Sequence, residues 1–179
     1  MSTEKQKKVN QIACKAGMVA MLWSFKVISS AFHLQPKQIS NQEMNNFVKN
    51  ITSGQRMNYI SLADSYYYII PWATFKEILD YLKVELNKIP YIKEVVDCDN
   101  LSYLVSVLIS VIFKINTCGV VHGRVNIGHF WNGIVAEKED GTLGLFYYDL
   151  KKVSYTEYKK GDKIIIGNWT YIPDSYHFF

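Results

Sequence analysis

A chain of 179 residues is long enough for one well-packed domain and too short for two of ordinary size. Hydrophobic residues at 49% and charged residues at 20% exclude wholesale disorder, and a 15% aromatic share suits a sheet better than a plain helical bundle. The net charge of +4 is spread along the chain and concentrated only at Lys5, Lys7 and Lys8 and at Lys159 and Lys160, so no basic stripe marks a nucleic-acid partner.

The apolar stretch from Ile12 to Phe32 is interrupted by Lys15 and Lys26. The ten residues between them, 16–25, are too few to span a bilayer, and no small-x-small cleavage site follows. This predicts a helix over about 6–33 and no membrane span. A second helix is expected from the capping box Ser40-x-x-Glu43, with Met44, Phe47, Val48 and Ile51 on one face and a stop near Ser53-Gly54. Tyr66–Ile70 before Pro71 reads as a short extended segment. A second box, Thr74-x-x-Glu77, opens a helix with Phe75, Ile78, Leu79, Leu82 and Leu86 on its stripe, ending before Pro90.

From Cys98 the helical period returns in Leu101, Leu104, Val105, Leu108, Ile112 and Ile115. Cys98 therefore falls in the first turn, where free amide groups and the helix dipole favour a thiolate, and Asp99 and Asn100 suit the same position. A cysteine beside an apolar helix also serves simply as a small buried hydrophobe. Cys14, Cys98 and Cys118 have no CxxC spacing, which argues against a disulfide framework or a cysteine-rich zinc site and for a reducing, cytoplasmic setting.

After Asn116 the pattern becomes period-two and glycine-punctuated. Glu139-Asp140-Gly141-Thr142 reads as a hairpin turn between Phe130–Ala136 and Leu143–Leu150, with further strands at Lys163–Ile166 and Trp169–Ile172. The expected fold is α+β in a single domain, 1–179: N-terminal helices over about 6–115 packed on a C-terminal antiparallel sheet over about 117–175. His129 lies eleven residues before Asp140, and Asp149 eight after Gly141. A bulge or slight offset makes them cross-strand neighbours on one face. A thiolate at a helix start, an imidazole and an orienting carboxylate are the parts that nucleophilic cysteine chemistry needs. Asn132 either bonds nearby backbone or points outward from an edge strand. Trp131 shields the site or packs the sheet, and His122 and Cys118 read as structural.

The segment DSYYYIIPWATFKEILDYLKVELNKIPYIKEVVDCDNLSYLVSVL, then CGVVHG, then GHFWN and a strand ending in an acidic residue, resembles a known family. It is similar to the papain-like cysteine peptidase domain at the carboxyl end of the fairy-ring mushroom agglutinin and to small bacterial and phage proteins related to it. The resemblance covers about residues 64–152. It implies a papain-like arrangement with Cys98 as nucleophile, His129 as general base and Asp149 as orienting acid. The implied activity is a thiol hydrolase or acyl transferase acting on peptide or isopeptide amides through a thioester. For a phage-encoded member the setting is the host cytoplasm.

Two departures, Asp149 where the family has glutamate and Leu101-Ser102 where it has an aromatic and a small residue, leave an inactive binding module engaging a host protein as the alternative. The resemblance also implies a divalent ion, Ca²⁺ or Mn²⁺, held with help from Asp97 or Asp99. Such ions want several oxygens, and this motif offers two carboxylates.

Overall fold

The computed structural model describes residues 27, 29–55, 59–93, 96–152 and 154–179. The chain divides into two units, Met1–Leu34 and Gln35–Phe179. Residues 27 and 29–31 are helical; the rest of the helix expected over 6–33, Cys14 included, lies outside the described residues.

In the larger unit β1 (Lys37–Ser40) leads directly into α1 (Asn41–Ile51). Ser40 caps the helix as the sequence predicts: its hydroxyl accepts from Glu43 N–H at 3.2 Å, and Glu43 Oε2 accepts from Ser40 N–H at 2.7 Å. The tyrosine run forms β3 (Tyr66–Ile69), after a short β2 (Tyr59–Leu62). Its alternation puts Tyr67 and Ile69 in the core and leaves Tyr66 and Tyr68 exposed, the period-two signature of a strand covered on one face.

Helix α2 (Trp72–Leu86) starts earlier than its expected box. Pro71 is the N-cap, and the Phe75 N–H already bonds Pro71 O at 3.0 Å, so Thr74 lies inside the first turn and cannot cap. The expected stripe, Phe75, Ile78, Leu79, Leu82 and Leu86, is buried.

Helix α3 (Cys98–Phe113) begins at the cysteine and ends where Lys114 turns left-handed at φ 58°. Its buried face is rotated from the expected one. Leu104 and Leu108 are half-buried, whereas Ser102 and Ser106 join Leu101, Val105, Ile109 and Ile112 inside. The serines tolerate burial because each hydroxyl has a carbonyl acceptor, Cys98 O for Ser102 and Cys118 O for Ser106.

Six further strands follow: β4 (Cys118–Val125), β5 (Ile127–Glu137), β6 (Leu143–Asp149), β7 (Ser154–Tyr158), β8 (Ile164–Ile166) and β9 (Trp169–Phe178). The main sheet runs β2-β9-β4-β5-β6-β7, with β8 also paired to β9. The β5–β6 turn closes through Lys138 N–H to Thr142 O at 2.8 Å, with Gly141 at φ +78° where a side chain would be strained.

The architecture is mixed α and β with one large sheet, in keeping with α+β. Two features correct the expected division into helices followed by an antiparallel sheet. Strands β1 and β2 lie within the part read as helical, and β1 pairs with β3, the extended segment expected there, in a separate two-stranded sheet. Strand β2 pairs with β9 in parallel, Tyr59 opposite Ser175 through Leu62 opposite Phe178. Its four residues are too short to show a period, and its partner lies more than a hundred residues away, so neither pattern nor turn marked it. Among the described residues no helix is long and apolar enough to cross a membrane.

Candidate active site

His129 and Asp149 come together through strand register. Strands β5 and β6 pair from Asn132 opposite Tyr148 to Glu137 opposite Leu143. One further step sets Asp149 opposite Trp131, two residues from His129 on the same face of β5. That diagonal is within reach of side chains of this length. His129 Nε2 meets Asp149 Oδ2 at 2.8 Å, so the shorter arm of aspartate reaches the ring.

Asp149 is only 4% exposed, and both of its oxygens are engaged. The Tyr171 hydroxyl donates to Oδ2 at 2.6 Å, while the backbone N–H groups of Lys151 and Lys152 donate to Oδ1 at 2.9 and 3.3 Å. Burial alone would raise its pKa. The hydrogen bonds from His129 and Tyr171, the histidine's charge and the Lys152 N–H outweigh it and hold the carboxyl below its ordinary value.

His129 is shifted the other way. Burial opposes its charge, but the Asp149 hydrogen bond, a side-chain hydrogen bond with Cys98 and the negative charge of both partners together raise the imidazole to about 9. With Nε2 committed to Asp149, Nδ1 is the ring nitrogen left for the thiol. The structure thus joins His129 to Asp149 directly, and Cys98 stands near enough to the imidazole to add to its shift.

Cys98 is placed by the start of α3. Asp97 precedes it in extended backbone, φ −123° and ψ −156°, and the Asn100 side chain closes back on Asp97 N–H at 3.2 Å. As the first helical residue, Cys98 has an N–H with no acceptor inside the helix. Asn132 settles its two readings in favour of backbone bonding: it is buried and donates to Ser102 O at 2.9 Å and Gly119 O at 3.2 Å, fastening the first turns of α3 to β4 and β5.

Trp131 is fully buried and lies against both His129 and Tyr171, with ring centroids 6.0 and 5.0 Å away. Cys118 is enclosed, with its thiol pushed far above the usual range by burial, and His122 packs on Phe130; neither belongs to the site.

The expected metal ligands do not fit an ion. Asp97 and Asp99 lie close enough to share a hydrogen bond, which raises the Asp99 carboxyl above its ordinary value. Among the described residues, however, no group of three or more His, Cys, Asp or Glu side chains could hold a metal ion. Two carboxylates fall short of the oxygen cage a hard cation requires.

Sequence reasoning missed Tyr171, the Lys151 and Lys152 amides and Gly123. Tyr171 is one of thirteen tyrosines, in a strand with nothing to mark it. The amides had a signal, since an aspartate bonding the N–H groups two and three residues on is a common turn device. Gly123 sits opposite His129 in the β4–β5 register. A Cβ there would meet the Ile172 carbonyl, lie 2.6 Å from Trp131 Cη2 and 2.8 Å from Pro173 Cα.

No family model matches the chain. No curated protein matches it either. Among solved structures it is similar to one described as the "PSL1a-E64 complex", with a TM-score of 0.58 and 16% identity over 79% of this chain. The match spans half the length of that structure, and the likeness is one of fold.

Proposed function

We propose that this chain is a thiol hydrolase of papain-like arrangement that cleaves or transfers peptide or isopeptide amide bonds through a thioester on Cys98. The observation that carries the reading is His129 held at 2.8 Å by a buried carboxylate, with Cys98 at the start of α3 close enough to raise the same imidazole. Packing alone gives no reason to gather a thiol, an imidazole and a carboxylate at one point. E-64, the ligand in the structurally similar complex, is a cysteine protease inhibitor, which supports the same chemistry.

In this mechanism the His129 imidazolium holds the proton given up by Cys98 as sulfur attacks the amide carbonyl carbon. The negative charge gathers on the carbonyl oxygen, and the Cys98 N–H at the start of α3 is a donor available to it. Breakdown of the intermediate breaks the C–N bond, and His129 returns the proton to the departing amine. Water, or another amine in a transfer reaction, then attacks the thioester with His129, now neutral, as base. Asp149 keeps Nε2 engaged and stabilises the imidazolium, and Tyr171 and the two turn amides hold Asp149. The reach of Asp149 favours this reading over an inert binding module.

The test is hydrolysis of fluorescently labelled casein and of capped peptide pools by the wild type, Cys98→Ala and His129→Ala, with and without E-64. Activity confined to the wild type and blocked by E-64 through an adduct on Cys98 is expected. Equal activity in Cys98→Ala would falsify the enzyme reading, and so would a folded wild type that cuts nothing.

A further inference from the structure

A cavity beside His129 bears on the amine half of the substrate. Its volume of about 320 Å³ lies at the small end of ligand sites, which run from roughly 300 to 1,000 Å³. Val125, Ile127, Trp169 and Tyr171 give it an apolar and aromatic lining, and Asn126, His129 and Lys152 complete it. Asn126, at φ +68°, turns the chain within one residue and sets Val125 and Ile127 opposite each other. Cys98 is not part of the lining.

That asymmetry assigns the cavity to one side of the reaction. Histidine must reach the departing amine to protonate it, so a pocket that includes His129 and excludes the sulfur faces the leaving group. The charge is equally one-sided. Lys152 Nζ stands 4.5 Å over the Trp169 ring, and among the described residues no carboxylate pairs with it. Asp149, three residues earlier, is buried with both oxygens occupied.

We propose that this pocket is the leaving-group subsite and that it takes a large apolar residue accompanied by a carboxylate, which the Lys152 ammonium receives. The carboxylate is either the free carboxyl terminus of that residue or an adjacent acidic side chain. The proposal rests on the hydrolase reading, but its binding preference can be measured without turnover.

The probe is 3-phenylpropionate, with 3-phenylpropionamide as its neutral counterpart, titrated into the wild type, Cys98→Ala and Lys152→Met while amide and indole NMR signals are followed. Saturable shifts at Ile127 and the Trp169 indole are expected, with the acid bound about fivefold more tightly than the amide, as suits a solvent-accessible ion pair. Lys152→Met should remove that preference and leave amide binding unchanged. Equal affinities in the wild type, or no saturable binding of either probe, overturns the proposal.

Capped peptide pools with a random acyl half, ending in Phe acid, Phe amide or Phe-Asp amide, separate the two sources. Preferential release of free Phe points to a carboxyl terminus, and preferential release of Phe-Asp amide points to an acidic neighbour. Equal cleavage of all three contradicts the selectivity. Selective probe binding by a chain that cleaves none of them sinks the hydrolase reading, and with it the leaving-group role, but not the carboxylate preference.

Discussion

Tyr171 and His129 share one acceptor: the tyrosine hydroxyl and the histidine Nε2 meet Asp149 Oδ2 at 2.6 and 2.8 Å. Tyr171 is 2% exposed, so its hydroxyl has no water to exchange for the carboxylate. Tyr171→Phe removes a hydrogen bond to a charged group and should cost about 1.5–3 kcal/mol of stability with the fold intact. Hydrolysis should also fall, because Asp149 loses one of the groups that orient it. Chemical denaturation beside kinetic assay checks this, and a variant as stable and as active as the wild type would show the contact to be idle.

The opposite shifts of His129 and Asp149 set the pH range in which their pairing stabilises the fold. The histidine's folded value of about 9 lies above its unfolded value of roughly 6.5. Its contribution is therefore full below about 6.5 and disappears as pH rises toward 9. The aspartate's folded value is lowered, so its contribution is full above its unfolded value near 3.9 and is lost as pH falls below that. Stability should be greatest between about pH 4.5 and 6.5 and fall by on the order of 1–2 kcal/mol toward pH 9, after allowance for solvent screening. Denaturation curves across that range, with His129→Gln as comparison, should lose this decline in the variant.

The cysteines should separate by reagent access. Cys98 is partly exposed beside His129, whereas Cys118 is buried with its thiol strongly disfavoured as an anion. Iodoacetamide at pH 6 should label Cys98 in the native chain and spare Cys118 until unfolding, with His129→Ala slowing the reaction at Cys98. Peptide mapping reads both results. Native labelling of Cys118 at a comparable rate would contradict the described packing.

Gly123 should tolerate no side chain. A Cβ would press on the Ile172 carbonyl, Trp131 and Pro173, two of which are backbone contacts that cannot rotate aside. Gly123→Ala should cost about 1–3 kcal/mol or more and lower activity, since β4 and β9 must part to admit it and Gly123 is the residue paired with His129. A thermal midpoint within a degree or so of the wild type would mean that β4 and β9 have room to yield.

Much of this site was legible because its signals are local. Ser40 and Glu43 cap α1 through neighbours three residues apart, and the turn at Asp140-Gly141 fixed the hairpin register that brings Asp149 back to His129. What stayed hidden depends on distant partners. Strand β2 exists because β9 offers it an edge, and Tyr171 matters because β9 passes behind Asp149. The face of α3 was misjudged for a related reason: Ser102 and Ser106 look polar in sequence, and only folding supplies the carbonyls that let them be buried. The metal expectation came from family likeness, and among the described residues Asp97 and Asp99 belong to no group of three or more His, Cys, Asp or Glu side chains that could hold an ion.

The central claim is that Cys98 acts on the same imidazole that Asp149 holds, and an NMR titration of the His129 ring in the wild type and in Cys98→Ala tests it most directly. The wild type should show His129 protonating near 9, and the variant, without the sulfur's hydrogen bond and charge, should show a clearly lower midpoint. An unshifted histidine near 6.5 in the wild type, or the same midpoint in both chains, would mean that the thiol and the imidazole do not interact and that Cys98 is a packing residue.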